Sequence, residues 1–334
     1  MQTKRYNVYG IGNALVDLEF TLNSDFFNNM NIEKGVMTLI DEDRHHTLLK
    51  NLGSPKKKAC GGSAANTVIA LSQFGGKSFY SCKVAHDEMG EFYLADLKQN
   101  GVETNPHLEK DQMPTGKCIV MVTPDADRTM NTYLGITTNF STNELNEDIL
   151  KDSEYVYIEG YLVASPTAQS AALKCKELAA KNNVKTALTF SDPNMVKFFH
   201  QNFVDIIGTG VDLLFCNESE AIEFTKKSTI KEASSELKKI AKTFVITLGK
   251  SGALVYDGEQ FIEVSAFPVT AIDTNGAGDM FAGAFLYGIT HGHTFAQAGK
   301  LASLASSKIV GKYGPRLESE ETKAVLHQLT GELK

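Results

Sequence analysis

Asp273-Thr274-Asn275-Gly276-Ala277-Gly278-Asp279 sets two carboxylates around a Gly-Ala-Gly turn. Ala277, Met280, Phe281, Ala284, Phe285 and Gly288 follow at the i, i+3, i+4, i+7 spacing of a helix with one small, apolar face. The turn therefore belongs at a helix N-terminus, where unpaired N–H groups and the helix dipole favour an anion. Asp279, in the first helical turn, has two readings. It is either the acidic residue that commonly stabilises a helix start, or a base beside a bound phosphate. The second is the arrangement that phosphoryl transfer to a hydroxyl requires.

Three other stretches carry polar groups at similar junctions. Gly61 and Gly62 feed a helix whose first turn, Ser63 to Thr67, is small and polar. Small residues there admit a ligand close to the backbone, and Asn66 offers both a donor and an acceptor; a helix packed tightly on a sheet would show the same pattern. Asn217 and Glu220 stand three residues apart at a helix start, suited either to a hydrated Mg²⁺ and phosphate oxygens or to a capping box. Thr247 to Ala253 is a turn bracketed by Gly249 and Gly252, able to lie against a nucleotide or simply to lead into a hairpin.

Several chemistries are excluded. Gly10-x-Gly12 lacks the third glycine of a dinucleotide fingerprint, since Leu15 stands there, and a strand rather than a helix follows. Neither a Walker motif nor the protein-kinase motif set occurs. His45-His46 and His291-x-His293 lack carboxylate or cysteine partners at ligand spacing and are expected on the surface.

The elements that must position these residues are legible in part. Val8 to Asn13 reads as a buried strand and Leu15 to Phe20 as another. Lys117–Thr123 and Arg128–Gly135, joined by the turn Pro124-Asp125-Ala126-Asp127, add two strands that with the Asp17 strand form a small separate β layer. From about residue 154, strands alternate with helices. The strands are 155–158, 186–190, 211–216 and 244–248, and a hairpin spans 253–264. The helices are 167–181, 194–207, 219–225, 230–241, 277–290, 295–310 and 318–329. Such alternation predicts an α/β fold with a mostly parallel sheet between helical layers, and ligands gather at the carboxyl ends of its strands. Asn13, Ser191-Asp192, Asn217 and Gly249 all follow predicted strands.

With 334 residues, 42% hydrophobic and 22% charged, the chain can bury a large core as one α/β domain or two, and no linker or repeat divides it. A net charge of −7 gives no footprint for nucleic acid or an anionic membrane, and the longest basic run, Lys56 to Lys58, reads as a solvated loop. Five scattered cysteines without a Cys-x-x-Cys pair argue against a disulfide framework or zinc site. No signal core or apolar span of about 18 residues is present, so a cytoplasmic protein is expected.

Asp273 to Asp279 resembles the C-terminal signature of the ribokinase-like (PfkB) carbohydrate and nucleoside kinases. Gly61-Gly62 to Asn66 is similar to that family's N-terminal signature, and Asn217-x-x-Glu220 to its Asn-x-x-Glu motif. The order and spacing agree over nearly the whole chain. The resemblance implies one ribokinase-like domain over 1–334, a three-layer sandwich with a small β-sheet lid from about 14–40 and 115–137. It implies ATP-dependent phosphorylation of a hydroxymethyl group, with Asp279 as base and Gly276, Ala277 and Gly278 around the transferred phosphoryl group. Asn13, Asp17, Gly61, Gly62 and Asn66 would bind the acceptor, with Arg128 closing from the lid over the phosphates. Asn217, Glu220, Thr247, Gly249, Gly252 and Asn275 would face the nucleotide. Asn217 and Glu220 would hold Mg²⁺ through water. The carbonyls of Asp273 and Asn275, with loop 311–314, resemble a site for a monovalent cation such as K⁺. The lid offers a homodimer surface.

Gly12 to Asp17 and Thr123 to Gly135 look most like the adenosine-kinase-like branch, which points to the 5′-hydroxyl of a nucleoside, adenosine first. Asp192-Pro193-Asn194 is instead similar to the sugar kinases, without their arginine two residues later, where Val196 stands. A ribokinase- or fructokinase-type acceptor is therefore the alternative. A non-catalytic sensor on the same fold is disfavoured by the retained Asp279.

Overall fold

The computed structural model describes residues 4–23, 25–104, 113–123 and 128–332. Its strands in chain order are β1 (Tyr6–Ile11), β2 (Leu15–Thr21), β3 (Met37–Leu39), β4 (Lys57–Gly61), β5 (Ser78–Ser81), β6 (Val102–Thr104) and β7 (Gly116–Val122). They continue as β8 (Arg128–Tyr133), β9 (Ser153–Ile158), β10 (Lys185–Thr189), β11 (Val211–Asn217), β12 (Ala241–Thr247), β13 (Ala253–Tyr256) and β14 (Phe261–Val264). A large sheet runs β14-β13-β12-β11-β10-β9-β1-β5-β6 and is parallel except where β12, β13 and β14 pair antiparallel. A smaller sheet runs β3-β8-β7-β2-β4.

The period of two in a strand sends alternate residues of the large sheet into two separate cores. Tyr155 and Tyr157 of β9 pack with helices Ser63–Gln73, Ala277–Thr290 and Phe295–Val310. Val156 and Ile158 pack with helices Pro166–Lys181 and His200–Ile207 on the other face. This is the expected α/β fold, helices on both faces of a mostly parallel sheet, with a second small sheet beside it. Among the described residues no helix is long and apolar enough to cross a membrane.

One contact matters most for the site. Helix Ala277–Thr290 crosses helix Ser63–Gln73 at Gly283, where an added Cβ would lie 2.5 Å from the Thr67 carbonyl oxygen and 2.6 Å from Ala70 Cβ. Only a residue without a side chain lets the two helices approach this closely. Their N-terminal turns are thereby brought side by side.

The structure departs from the sequence reading at several points. The helix expected over 194–207 is two, Pro193–Phe198 and His200–Ile207, because the first packs on helix Glu218–Thr225 and the second on Pro166–Lys181. The helix expected to reach 241 stops at Leu237, since Ala241 is already paired with Val211 in the sheet. Lys57 and Lys58 lie in β4, opposite Glu19 and Leu18, rather than in a loop. This edge strand of the small sheet comes from outside the two stretches expected to build it. His45 is buried, not on the surface: helix Glu42–Leu52 turns it inward with Leu48, against the Tyr133 ring, and burial pushes its pKa down to about 4. The expected turn Pro124 to Asp127 lies outside the described residues.

Candidate active site

A cleft of about 360 Å³ opens between the carboxyl ends of the large sheet and the inner face of the small one. The chain leaves each central strand with a polar residue in the cleft: Asn13 after β1, Glu159 after β9, Ser191 after β10, Asn217 closing β11 and Thr247 closing β12. The small sheet contributes Leu15, Asp17, Met37, Leu39, Cys118, Met130 and Thr132. The cleft therefore has polar groups at the strand ends, set among Tyr157, Met195, Phe215 and Phe281, beneath a largely apolar roof that also carries Asp17.

Asp279 stands in the first turn of helix Ala277–Thr290, whose N-cap is Gly276 in the left-handed conformation at φ 74°. Its Oδ1 accepts from Ser63 Oγ at 2.6 Å and its Oδ2 from Asn66 Nδ2 at 3.0 Å. Burial in the cleft raises its pKa to about 6, against the pull of these two hydrogen bonds and of Arg316. At neutral pH it is mostly ionised and still basic enough to accept a proton. The Ala277 amide turns onto the Thr274 carbonyl at 3.3 Å. Gly278 faces open space, with nothing within 4 Å of where a Cβ would stand, so the volume above the turn is free for an anion.

Three more carboxylates surround the cleft. Burial raises Asp17 to about 7 despite the nearby guanidinium groups of Arg316 and Arg128. Gly61 abuts this side chain so closely that an added Cβ would lie 2.2 Å from Asp17 Oδ1. Glu159 is also raised to about 7 by burial; its Oε2 accepts from the Ala64 amide at 2.8 Å, and its Oε1 from the Asn13 amide at 3.1 Å and Nδ2 at 3.0 Å. Glu220 is held in the capping box: Asn217 donates to it from its backbone at 2.9 Å and from Nδ2 at 2.8 Å, and accepts from the Glu220 amide at 2.9 Å. Burial raises this carboxyl to about 7 as well. The capping and ligand readings of Asn217-x-x-Glu220 are thus compatible, because the capped pair still lines the cleft. Four carboxyls raised by burial thus converge on one concavity, an arrangement that makes it the candidate site.

Of the residues singled out in the sequence, Asn13, Asp17, Gly62, Asn66, Asn217, Glu220, Thr247, Asn275, Gly276, Gly278 and Asp279 line the cleft. Gly61, Arg128, Gly249, Gly252, Asp273 and Ala277 do not. Gly249 and Gly252 bracket the tight turn between β12 and β13. Arg128 Nη2 lies 2.6 Å from Asp273 Oδ2, off hydrogen-bonding alignment, and 3.7 Å from Glu19 Oε2. Asp273 also accepts from the Asn275 amide at 3.0 Å and the Gly314 amide at 2.9 Å, which sets loop 311–314 against the start of the glycine turn. No group of three or more His, Cys, Asp or Glu side chains among the described residues is arranged to hold a metal unaided.

Ser63, Glu159 and Arg316 escaped the sequence reading. Glu159 follows β9 directly, so the strand-end rule already pointed to it. Ser63 stands in the small, polar first turn without being marked as a partner of Asp279, and Arg316 carries no local signal; only the fold brings them to Asp279 and Asn66.

The chain is similar to known proteins over nearly its whole length. An adenosine kinase from Dictyostelium discoideum is 26% identical over 336 residues, 93% of this chain and 96% of that one. The crystal structure of adenosine kinase from Sinorhizobium meliloti superposes with a TM-score of 0.89 at 33% identity, covering 97% of this chain and 99% of that one. A probable sugar kinase from Rhizobium etli CFN 42 gives 0.91 at 33%, covering 98% and 99%. The family model for pfkB family carbohydrate kinases matches residues 36–323, and the chain belongs to that family.

Proposed function

We propose that the protein transfers the γ-phosphoryl group of ATP to the 5′-hydroxyl of a nucleoside, adenosine first. The observation that carries this reading is the mixed lining of the cleft: polar groups suited to ribose hydroxyls, Asp17 and Asn13 among them, beside the apolar Leu15, Met37, Leu39 and Met130. A nucleoside has one face for each, whereas a free sugar has no large apolar face to bury.

The residues divide the work. Asp17 and Asn13 take ribose hydroxyls, and Asn66, already bound to Asp279, orients the carboxylate. Asp279 accepts the hydroxyl proton as the oxygen attacks phosphorus. The start of helix Ala277–Thr290, at Gly276 and Gly278, receives the charge that builds on the phosphoryl oxygens. The capped pair Asn217 and Glu220 fits Mg²⁺ held through water, since this ion keeps several waters and needs one carboxylate beside the substrate phosphates. Bound there, it would neutralise phosphate charge.

A sugar acceptor is the second reading. It is favoured by Ser191 in the cleft and the Asp192-Pro193-Asn194 turn after β10, where Asp192 accepts from the Asn194 amide at 2.7 Å. Purified protein with ATP and Mg²⁺ should phosphorylate adenosine with a kcat/KM at least about tenfold above ribose or fructose. Turnover of sugars with none of adenosine, inosine or other nucleosides would overturn the reading.

A further inference from the structure

Arg316 lies 250 residues beyond Asn66, in the segment between helices Phe295–Val310 and Ser319–Glu332. Its guanidinium makes three directed bonds. Nε donates to Asn66 Oδ1 at 2.9 Å, Nη1 to Asp96 Oδ2 at 2.6 Å, and Nη2 to the Cys60 carbonyl at 2.6 Å. The planar fork is thus fixed from two sides, by helix Glu88–Gln99 and by the end of β4, and Leu317 beside it is buried. On its other side Pro315 packs on Gly276, within 2.6 Å of where a Cβ would stand. One short segment therefore touches both the anion turn and the side chain that holds Asp279.

The amide of Asn66 has two orientations. With Oδ1 toward Arg316, Nδ2 donates to Asp279. Reversed, the oxygen would face the carboxylate and the NH₂ would face the guanidinium, so both bonds would be lost together. An arginine can only donate, which leaves one orientation.

We propose that Arg316 is a positioning residue for phosphoryl transfer: by holding Asn66 Oδ1 it commits Asn66 Nδ2 to Asp279, and so aims the base at the acceptor hydroxyl. The inference rests on the reading of Asp279 as the base. The ionisable groups acting around Asp279 are Asp17 from β2, Tyr157 and Glu159 from β9 and its end, Tyr161, Glu220 and Arg316. The Arg316 charge also lowers the Asp279 pKa through space.

Steady-state kinetics with adenosine, ATP and Mg²⁺ across pH 5 to 9 tests this on Arg316→Gln, Arg316→Lys, Asp96→Asn and Asp279→Asn. Arg316→Gln should lower kcat about 10- to 100-fold with little change in either KM, as expected for a misaimed group, and move the acid limb of kcat to higher pH. Arg316→Lys should return the limb, because the charge is back, but not kcat, because one ammonium cannot span the three acceptors. Asp96→Asn should give a smaller kcat loss in the same direction. A wild-type kcat and acid limb in Arg316→Gln, with only a lowered Tm, would overturn the proposal. Should that variant not fold, an unchanged kcat in Asp96→Asn would do the same. Near-normal turnover in Asp279→Asn would instead defeat the base reading itself, whatever Arg316 does.

Discussion

Ser63 Oγ lies 2.6 Å from Asp279 Oδ1, although 216 residues separate the two in the chain. Asn66 takes the other oxygen of the same carboxylate, so one helix N-terminus holds the side chain of the next. The Gly283 crossing makes this possible, since a side chain there would hold the two helices apart. A carboxylate fixed at both oxygens has lost its rotational freedom before any substrate arrives, and that preorganisation is where its catalytic advantage would come from.

Gly61→Ala tests the acceptor side of the cleft. The new methyl would collide with the end of the Asp17 side chain rather than with backbone, so Asp17 yields and the fold survives. The expected result is an acceptor KM raised by about tenfold, one misplaced polar contact, with the ATP KM unchanged and a stability loss of about 1–2 kcal/mol. Steady-state kinetics and thermal melts check both; an unchanged acceptor KM would remove Asp17 from the acceptor site.

The raised carboxyls predict how stability depends on pH. Asp17 sits at about 7 in the folded protein, whereas an unfolded aspartate titrates near ~3.9. Between these values the folded state binds more protons than the unfolded one, so stability falls as pH rises. The contribution is fully present below the unfolded pKa and is lost as pH passes through about 7. Glu159 and Glu220 act in the same direction. The ligand-free Tm attributable to these groups should therefore drop from pH 5 to pH 8, and Asp17→Asn should make the drop shallower. Parallel Tm–pH curves for the two proteins would contradict the assignment.

What was legible in the sequence follows the strength of local pattern. β9 to β12 are short apolar runs bounded by helices with clear periodicity, and their parallel direction follows from that alternation. β4 and β5 were missed because Lys57–Gly61 and Ser78–Ser81 mix charged or small polar residues with few apolar ones, and their strand character comes from their neighbours in the sheets. The glycine turn and the Asn217–Glu220 pair announce themselves by spacing. Glu159 announces itself only by following a strand, and Arg316 not at all, since its partners lie on β4 and on the helices of Asn66 and Asp96.

The most direct test of Asp279 as the base is the kcat of Asp279→Asn with adenosine, ATP and Mg²⁺. The side chain is nearly isosteric: its oxygen can accept from Asn66 Nδ2 and its NH₂ can donate to Ser63 Oγ, yet the group can no longer take a proton. The predicted result is a kcat lowered about 10²- to 10⁴-fold, the usual worth of a general base, with acceptor KM changed only a few-fold and Tm retained. A kcat close to that of the unaltered protein would contradict the account.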